Sequence, residues 1–239
     1  MLIPTLLLSF VFSSLAFIVT KSNARYILSG YNTMSDVQRA AVDIDGYLKF
    51  HKQFHLFLGI SVFVCVMSFE IIDKNLAGIF LGMYPLLAYV YFLIKSRKYF
   101  SGVESQKIST TASVLILVLT IGGVGYLFLN GLKSSEILMK EDSLEITGMY
   151  GEKISRDQIL GVRLISDLPE ITMRSNGFSA GDFRKGYFRT KDRKTVKLII
   201  NKKQKPVIVL NTREGEIYFS TTSQSSEDLI GKIEKWRGF

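Results

Sequence analysis

The densest group of residues that could do chemistry is a basic run near the end of the chain. Positions 184 to 205 hold ten Lys or Arg residues against one acid, Asp192, so the run has a formal charge of +9, equal to that of the whole chain. Such a surface attracts anionic lipid headgroups, an anionic surface polymer or an acidic protein. A solvated polar face without a ligand explains the same pattern. The basic residues are Arg184, Lys185, Arg189, Lys191, Arg193, Lys194, Lys197, Lys202, Lys203 and Lys205.

Two histidines and one cysteine are the remaining residues with metal or nucleophile chemistry. His51 and His55 are four apart, a spacing that could bind one metal, but no acidic or thiol ligand accompanies them at a recognisable spacing. We expect histidines at the entrance of a membrane helix, with no metal and no cofactor. Cys65 is the single cysteine, so a disulfide within the chain is excluded, and a packing role is expected.

Catalytic residue types do not assemble into a pattern. A hydrolase would need a Ser-His-acid triad or a metal cluster, yet both histidines lie in or near an apolar segment and the tail contains none. Acid pairs such as Glu141 and Asp142 resemble turn residues. We therefore expect a protein that is not an enzyme.

Four apolar stretches occupy most of the first 132 residues, and the elements they form must position the candidate residues named above. They cover residues 1–20, 54–72, 76–94 and 109–132, each at or near the roughly 20 residues that cross a bilayer. The first lacks the positively charged start of a signal peptide and a clear small-residue cleavage site, so a retained helix is expected. Residues 133–239 contain no such run and are expected to form one soluble domain.

The charges between these stretches predict how the chain is threaded. Cytoplasmic loops collect Lys and Arg, and nine basic residues flank the stretches on one side against Lys74 alone on the other. We expect the nine-residue side to be cytoplasmic and both termini to be extracytoplasmic, which disfavours nucleic acid as a partner. The nine residues are Lys21, Arg25, Arg39, Lys49, Lys52, Lys95, Arg97, Lys98 and Lys107.

The apolar stretches contain features of helix packing and no polar pathway. The short turn 73–75 predicts an antiparallel hairpin, and Glu70 is expected to pair with Lys74 at its end. Gly78 and Gly82 are four residues apart, and Gly122 and Gly125 are three residues apart. Both spacings put small residues on one face of a helix, where another helix backbone can approach closely. These faces could pack within the chain or against another membrane protein. The stretches lack the mid-membrane acids, Arg or His of ion pathways.

The loop after the first stretch contains a distinctive sequence. Residues 30–35 read Gly-Tyr-Asn-Thr-Met-Ser, and Ser35 with Gln38 predicts a capping box that begins a helix over 36–50. With Val42-Asp43-Ile44 leading into the second stretch, residues 1–95 resemble a bacterial family of small membrane proteins of unknown function. The helix after the signature is Lys/Glu-rich in that family and is Asp-Val-Gln-Arg-Ala-Ala here. The resemblance implies a bacterial cell membrane and supplies no activity.

The sequence pattern of residues 133–239 predicts a β domain that ends with one helix. Glycine- and charge-bearing turns separate short alternating runs. Ser225 or Ser226 is expected to cap a final amphipathic helix whose apolar face includes Leu229 and Ile233. The runs cover residues 136–140, 143–149, 153–155, 160–165, 171–174, 182–189, 195–200, 206–211 and 216–220.

About seven strands followed by a C-terminal helix is the outline of a pleckstrin-homology (PH) domain. Residues 136–238 resemble the bacterial PH-like domains appended to membrane proteins, on the segments Leu144-Glu145-Ile146, Tyr150-Gly151, Arg174-Ser175-Asn176-Gly177-Phe178, Gly186-Tyr187-Phe188 and Val207-Ile208-Val209-Leu210-Asn211-Thr212. The resemblance implies a binding or scaffolding role. The sequence thus predicts a four-span helical bundle with a mainly-β PH-like domain, acting as a membrane-anchored binding protein; an accessory subunit of a larger envelope or transport complex is the alternative.

Overall fold

The computed structural model describes residues 1–238, apart from the side chains of residues 104 and 105. The chain divides into two compact units, Met1–Tyr126 and Leu127–Phe239. The first unit is helical and the second is mainly β. Helix α6 belongs to both, since the division falls inside it.

Three helices in the described part are long and apolar enough to cross a membrane. They are Ile44–Ile72, Lys74–Phe100 and Gln106–Gly131, and the chain is accordingly treated as a membrane protein. The first apolar stretch forms a shorter apolar helix, Leu2–Ile18. The helices are α1 (Leu2–Ile18), α2 (Ala24–Ile27), α3 (Asp36–Ala40), α4 (Ile44–Ile72), α5 (Lys74–Ser96, followed by a 3-10 turn at Arg97–Phe100) and α6 (Glu104–Gly131).

Helices α4 and α5 form the expected hairpin, with Asp73 alone between them. The Asp73 carboxylate accepts hydrogen bonds from the backbone N–H groups of Asn75 at 2.7 Å and Leu76 at 2.9 Å. This side chain therefore caps α5 and satisfies donors that the helix cannot pair internally.

Helix α1 runs antiparallel to α4 over most of its length. The Ser9 hydroxyl donates to the Gly59 carbonyl at 2.6 Å, and a Cβ at Gly59 would lie 2.1 Å from Ser13 Oγ. At one end the Met1 amino group pairs with Glu70, which corrects the expected pair of Glu70 with Lys74. Because α1 lies against α4, the free amino group reaches Glu70.

The predicted helix over 36–50 is two helices. Ser35 and Gln38 form the expected capping box at the start of α3. The helix ends at Ala40, and Asp43 begins α4 by accepting a hydrogen bond from the Gly46 N–H at 2.9 Å. Helix α4 consequently starts ten residues before the predicted span at 54.

The second unit has nine strands in two sheets, compared with the seven or so expected. One sheet has the order β1-β2-β3, and the other has the order β4-β8-β9-β7-β6-β5, in which only the β7–β9 pair is parallel among the described strands. The strands are β1 (Ile137–Met139), β2 (Ser143–Ile146), β3 (Lys153–Ser155), β4 (Ile159–Ile165), β5 (Ile171–Ala180), β6 (Phe183–Thr190), β7 (Thr195–Asn201), β8 (Val207–Thr212) and β9 (Gly215–Phe219).

The six-stranded sheet is curved. Its two edge strands, β4 and β5, are joined by residues 166–170 alone, a connection that reaches at most about 20 Å. A flat sheet of six strands would be about 24 Å wide, so the edges must curl toward each other. The enclosed side holds an inner core of Phe188, Val196, Leu198, Ile200, Val207, Val209 and Tyr218.

The other side of this sheet packs against the small sheet and the last helix, α7 (Ser226–Arg237). Ser225 caps α7 by accepting a hydrogen bond from the Asp228 N–H at 3.0 Å. Leu229 and Ile233 are fully buried in the junction core that both sheets share. Near its end, Trp236 donates from Nε1 to the Lys140 carbonyl at 2.7 Å, so α7 is fastened to the first strand's edge.

Candidate binding surface of the β domain

The fold divides the basic run between two ends and two faces of the curved sheet. Lys191, Arg193 and Lys194 lie in the β6–β7 turn, whereas Lys202, Lys203 and Lys205 lie in the β7–β8 loop. Strand β7 separates these groups by about 20 Å. Arg184 pairs with Ile200 on the inner-core face, whereas Lys185, Arg189 and Lys197 point to the opposite face. The run therefore does not form one basic side of the domain, as a run on alternating strands and their turns would be expected to, since strand alternation and two separate turns distribute the charges.

Acidic residues pair with half of the cations in the run. Five of the ten cations have a carboxylate partner within 3.3 Å, and four of these five carboxylates lie outside the run. The pairs are Lys191–Glu170, Lys194–Asp192, Lys197–Glu152, Lys203–Asp182 and Lys205–Asp167. Only Asp192 belongs to the run itself, so its formal charge of +9 overstates the field at this surface.

Lys185 is an internal residue. Its side chain is 1% exposed, and Nζ donates to the backbone carbonyl of Lys133. Burial lowers the pKa of Lys185 to about 8. The same pocket contains Ser135, whose buried hydroxyl has no hydrogen-bond partner among the described residues. Lys185 can hold the segment that follows α6, but it is shielded from any ligand at the surface.

Arg189 and Arg193 are the exposed arginines of the run. Neither has an ion pair within the described part of the chain. Arg193 adopts φ +65°, the left-handed conformation of a tight turn, and Arg189 lies opposite Thr195 where that turn begins. We call Arg189, Lys191, Arg193 and Lys194 the basic tip. It has four cations against Glu170 and Asp192.

A polar groove of about 230 Å³ adjoins the basic tip through Thr195. At its base Lys197 is buried, pairs with Glu152 at 2.7 Å and lies 5.5 Å from the centre of the Tyr187 ring. Strands β3, β7 and β9 supply the walls. The lining comprises Glu152, Lys153, Ile154, Gln158, Tyr187, Thr195, Lys197, Thr212, Glu214, Gly215, Glu216 and Ile217.

Glu216 lines the groove, and its carboxylate bonds to Tyr218 and Arg163 on the inner-core face of the sheet. Burial favours a higher pKa for Glu216, but the Tyr218 hydroxyl at 2.7 Å and the Arg163 guanidinium at 2.9 Å together lower it. Burial and the bond to Glu216 raise the pKa of Tyr218 to about 12. The groove thus holds fixed charges of both signs, with three acids and two lysines in its lining. Such a groove can bind a polar ligand, whereas an anion is attracted more strongly to the tip.

The two histidines lie together in the helical unit. Their ring centres are 4.1 Å apart, and both nitrogens of His55 are engaged, with the His51 carbonyl at 2.8 Å and the Tyr89 hydroxyl at 3.1 Å. Among the described residues, no three His, Cys, Asp or Glu side chains come together as metal ligands. The pair is embedded among Tyr47, Phe54 and Phe92.

Sequence reasoning identified the cations and missed the groove. The groove lining comes from distant parts of the sequence, since Glu152 precedes β3 and Glu214 and Glu216 flank the start of β9. The parallel pairing of β7 with β9 places Lys197 beside Ile217 in this lining, and a parallel pair has no local sequence signal. One signal was present in the sequence: Tyr187 and Arg189 are two residues apart on a predicted strand, so they lie on the same face.

Comparison with known proteins gives one match. Residues 6–100 match the family model described as a domain of unknown function, DUF3784. The match covers α1 to α5 and includes the Gly-Tyr-Asn-Thr-Met-Ser segment, while the β domain lies outside it. No curated protein and no solved structure matches the chain. The first 100 residues are thus similar to an uncharacterised family with membrane-type helices.

Proposed function

We propose that this chain is a membrane-anchored, non-enzymatic binding protein whose β domain binds an anionic surface through the basic tip. The observation that carries the proposal is the exposure of Arg189 and Arg193 without carboxylate partners in the described chain, next to a polar groove. An unpaired guanidinium at a surface is available for phosphate or carboxylate groups, which it can bind with two parallel hydrogen bonds.

The proposal includes four membrane spans in a bacterial cell membrane, with α1 as the first. Contacts of α1 with α4 extend from Met1 beside Glu70 to Phe17, whose ring lies 4.9 Å from Lys52 Nζ. This supports a helix that crosses the same depth as α4, since residues 52 to 70 rise about 27 Å. The charge bias of the loops then puts both termini on the extracytoplasmic side.

We also propose that the tail is a variant of the PH-like fold. A curved sheet with an open side closed by α7, through Leu229 and Ile233, supports this assignment. The extra strands depart from the outline of about seven strands expected from the sequence, and the β7–β9 pair is parallel. What the assignment contributes is a rigid scaffold on which turns, such as the basic tip, present the binding residues.

Vesicle flotation of the isolated β domain, residues 132–239, tests the proposal. The fragment has its own cores and is expected to float with anionic vesicles and to remain in solution with neutral ones. Changing Arg189 and Arg193 together to Gln should reduce recovery on anionic vesicles by about tenfold or more, because each nearby cation contributes about 1 kcal/mol. Added salt should weaken the interaction.

A second double variant, Lys191→Gln with Lys205→Gln, is the matched control. It removes the same charge from exposed positions, but each of these lysines already has a carboxylate partner. A smaller loss than that of the arginine variant is expected. Equal recovery of the unmodified domain on neutral and anionic vesicles would reject lipid as the anionic surface, and equal losses in both variants would reject the specific role of the arginines.

The alternative is an accessory subunit of a larger envelope or transport complex, and one observation favours it. The apolar window of α6 has no buried residues, compared with 28% for α4 and 22% for α5. A Cβ at Gly122 or Gly123 would meet nothing within 4 Å. This small-residue segment is open to lipid or to a helix of another protein.

A further inference from the structure

The connection between α1 and α4 contains a cationic cavity that the β domain does not share. It has a volume of about 240 Å³ and is lined by Lys21, Arg25, Tyr31, Asp36, Arg39 and Ile44. Three of the six lining residues are cations and one is an acid. The sequence signature at 30–35 supplies part of the wall through Tyr31.

Arg39 is fixed in place at this cavity. Its Nη1 donates to Asp36 at 2.8 Å, its Nη2 to the Asn32 carbonyl at 3.1 Å and its Nε to the Tyr31 carbonyl at 3.3 Å. The side chain is 19% exposed. These bonds use three of the five N–H donors of the guanidinium, so two remain for a ligand. The loop therefore holds Arg39 in position before any ligand arrives.

Lys21 and Arg25, four residues apart in sequence, are the other two cations that line the cavity. Lys21 Nζ pairs with Asp45 at 2.7 Å, which leaves two of its three donors. Arg25 is exposed and stacks on Tyr26 at 5.4 Å from the ring centre. It has no carboxylate partner among the described residues, so Asp36 and Asp45 leave one positive charge uncompensated.

The cavity lies where the chain leaves its apolar helices. Lys21 follows the end of α1 by three residues, and Ile44 in the lining is the first residue of α4. Exposed apolar side chains are close to it in sequence, including Ile18 at 51% and Ile27 at 48%. A lining with three cations and one acid suits a phosphate group, either free or in the headgroup of a lipid.

We propose that the cavity formed by Lys21, Arg25 and Arg39 binds a phosphate group. The source is either the headgroup of an anionic phospholipid or free phosphate in solution. Several oxygens on one phosphorus can accept bonds from three cations at once, and arginine is well suited to such multiple contacts. A site in the helical unit goes beyond the proposed function, which assigns binding to the β domain.

The test uses the full chain in nanodiscs and in detergent. Nanodiscs containing phosphatidylglycerol and phosphatidylcholine are analysed by native mass spectrometry for lipid that stays bound after mild extraction. In parallel, inorganic phosphate is titrated against the detergent-solubilised chain and the midpoint of thermal unfolding is followed, since a ligand bound to the folded state raises it. The first arm reports lipid and the second reports free phosphate.

The informative variant is Arg25→Gln, because Arg25 has no described carboxylate partner to lose and its described contact is the stacking on its neighbour Tyr26. Its control is Lys49→Gln, which removes one exposed cation from the first turns of α4 without touching the cavity. We expect Arg25→Gln to lower retention of phosphatidylglycerol about fivefold, the effect of one nearby cation, and Lys49→Gln to leave it within twofold.

Each outcome decides the proposal. Selective retention of phosphatidylglycerol that depends on Arg25 supports a lipid site, and phosphate-induced stabilisation that depends on Arg25 supports a free-phosphate site. Equal retention of both lipids without stabilisation by phosphate would overturn it, as would equal effects of the two variants. The isolated β domain lacks this cavity, so its behaviour with vesicles is an independent result.

Discussion

Lys185 places an ammonium group where water does not reach it. The ammonium donates to the carbonyl of Lys133 and lies 5.9 Å from the centre of the Phe183 ring, and burial lowers the pKa of Lys185 to about 8. In the unfolded chain the same group titrates near 10.5. Between these two values the unfolded state binds more protons than the folded state, so stability rises with pH across this window.

We predict that Lys185→Met removes this pH dependence from the isolated β domain. From pH 8 to 10.5, the free energy of unfolding of the unmodified domain should rise by about 1–3 kcal/mol relative to the variant. Denaturant unfolding at a series of pH values measures the difference. Lys191→Met, at an exposed lysine of the same strand-turn segment, should follow the unmodified domain. Parallel curves for Lys185→Met and the unmodified domain would show that Lys185 is not titrating as stated.

The cations of the basic run show how far a binding site can be predicted from sequence. The sequence identifies the cations but does not show which of them are paired with a carboxylate. Lys197 meets Glu152 from 45 positions away, and Lys205 meets Asp167 from 38 positions away. Such pairs depend on strand order, which short alternating runs do not determine. Charge counted along the chain therefore identified the candidate residues and not the surface they form.

At the scale of elements, local patterns located most strands and helix starts. All nine alternating runs overlap observed strands, and the caps at Ser35 and Ser225 form as expected. The sequence predicted a helix over 36–50 but missed the break at residues 41–43 and the single helix that joins residues 44–53 to the apolar stretch. Tertiary contacts decide this case: Tyr47 is buried among aromatic rings such as Phe92 and Phe100.

We predict that Gly59→Leu separates α1 from α4. A Cβ at this position would lie 2.1 Å from Ser13 Oγ and 2.8 Å from the Ser9 carbonyl, so the helices must move apart. A loss of about 1–3 kcal/mol is expected, the usual cost of overpacking. Thermal unfolding of the full chain in mild detergent measures it.

Gly122→Leu is the matched control, because it makes the same substitution on α6 at a glycine with open space around it. It should leave the stability of the isolated chain within about 0.5 kcal/mol. If the chain is an accessory subunit that docks through α6, Gly122→Leu should instead lower the yield of partners captured by crosslinking in cells. Equal destabilisation by the two variants would contradict the packing described for α1 and α4.

At the scale of the whole molecule, the main expectation concerns how the chain is threaded through the membrane. The charge bias predicts that the β domain faces the outside and that the connection between α1 and α4 faces the cytoplasm. Two exposed positions report on these sides. Ser223 lies in the loop before α7, and Val37, 83% exposed, lies on α3.

We predict opposite labelling of cysteines placed at these two positions. In a Cys65→Ala background, Ser223→Cys should react with an impermeant thiol reagent on intact cells, and Val37→Cys should react only after the cells are lysed. The two variants serve as controls for each other. Labelling of Val37→Cys on intact cells, with protection of Ser223→Cys, would invert the threading and place the basic tip in the cytoplasm.

The fastening of α7 to the first strand also bears on when the β domain can fold. The Trp236 side chain bonds to Lys140 across 96 positions, and Leu229 and Ile233 fill the core between the two sheets. During synthesis, strands β1 to β9 therefore emerge before the helix that completes their core. We therefore expect the core between the two sheets to stay incomplete until α7 has been synthesised. A domain in that state remains open enough to be threaded across a membrane.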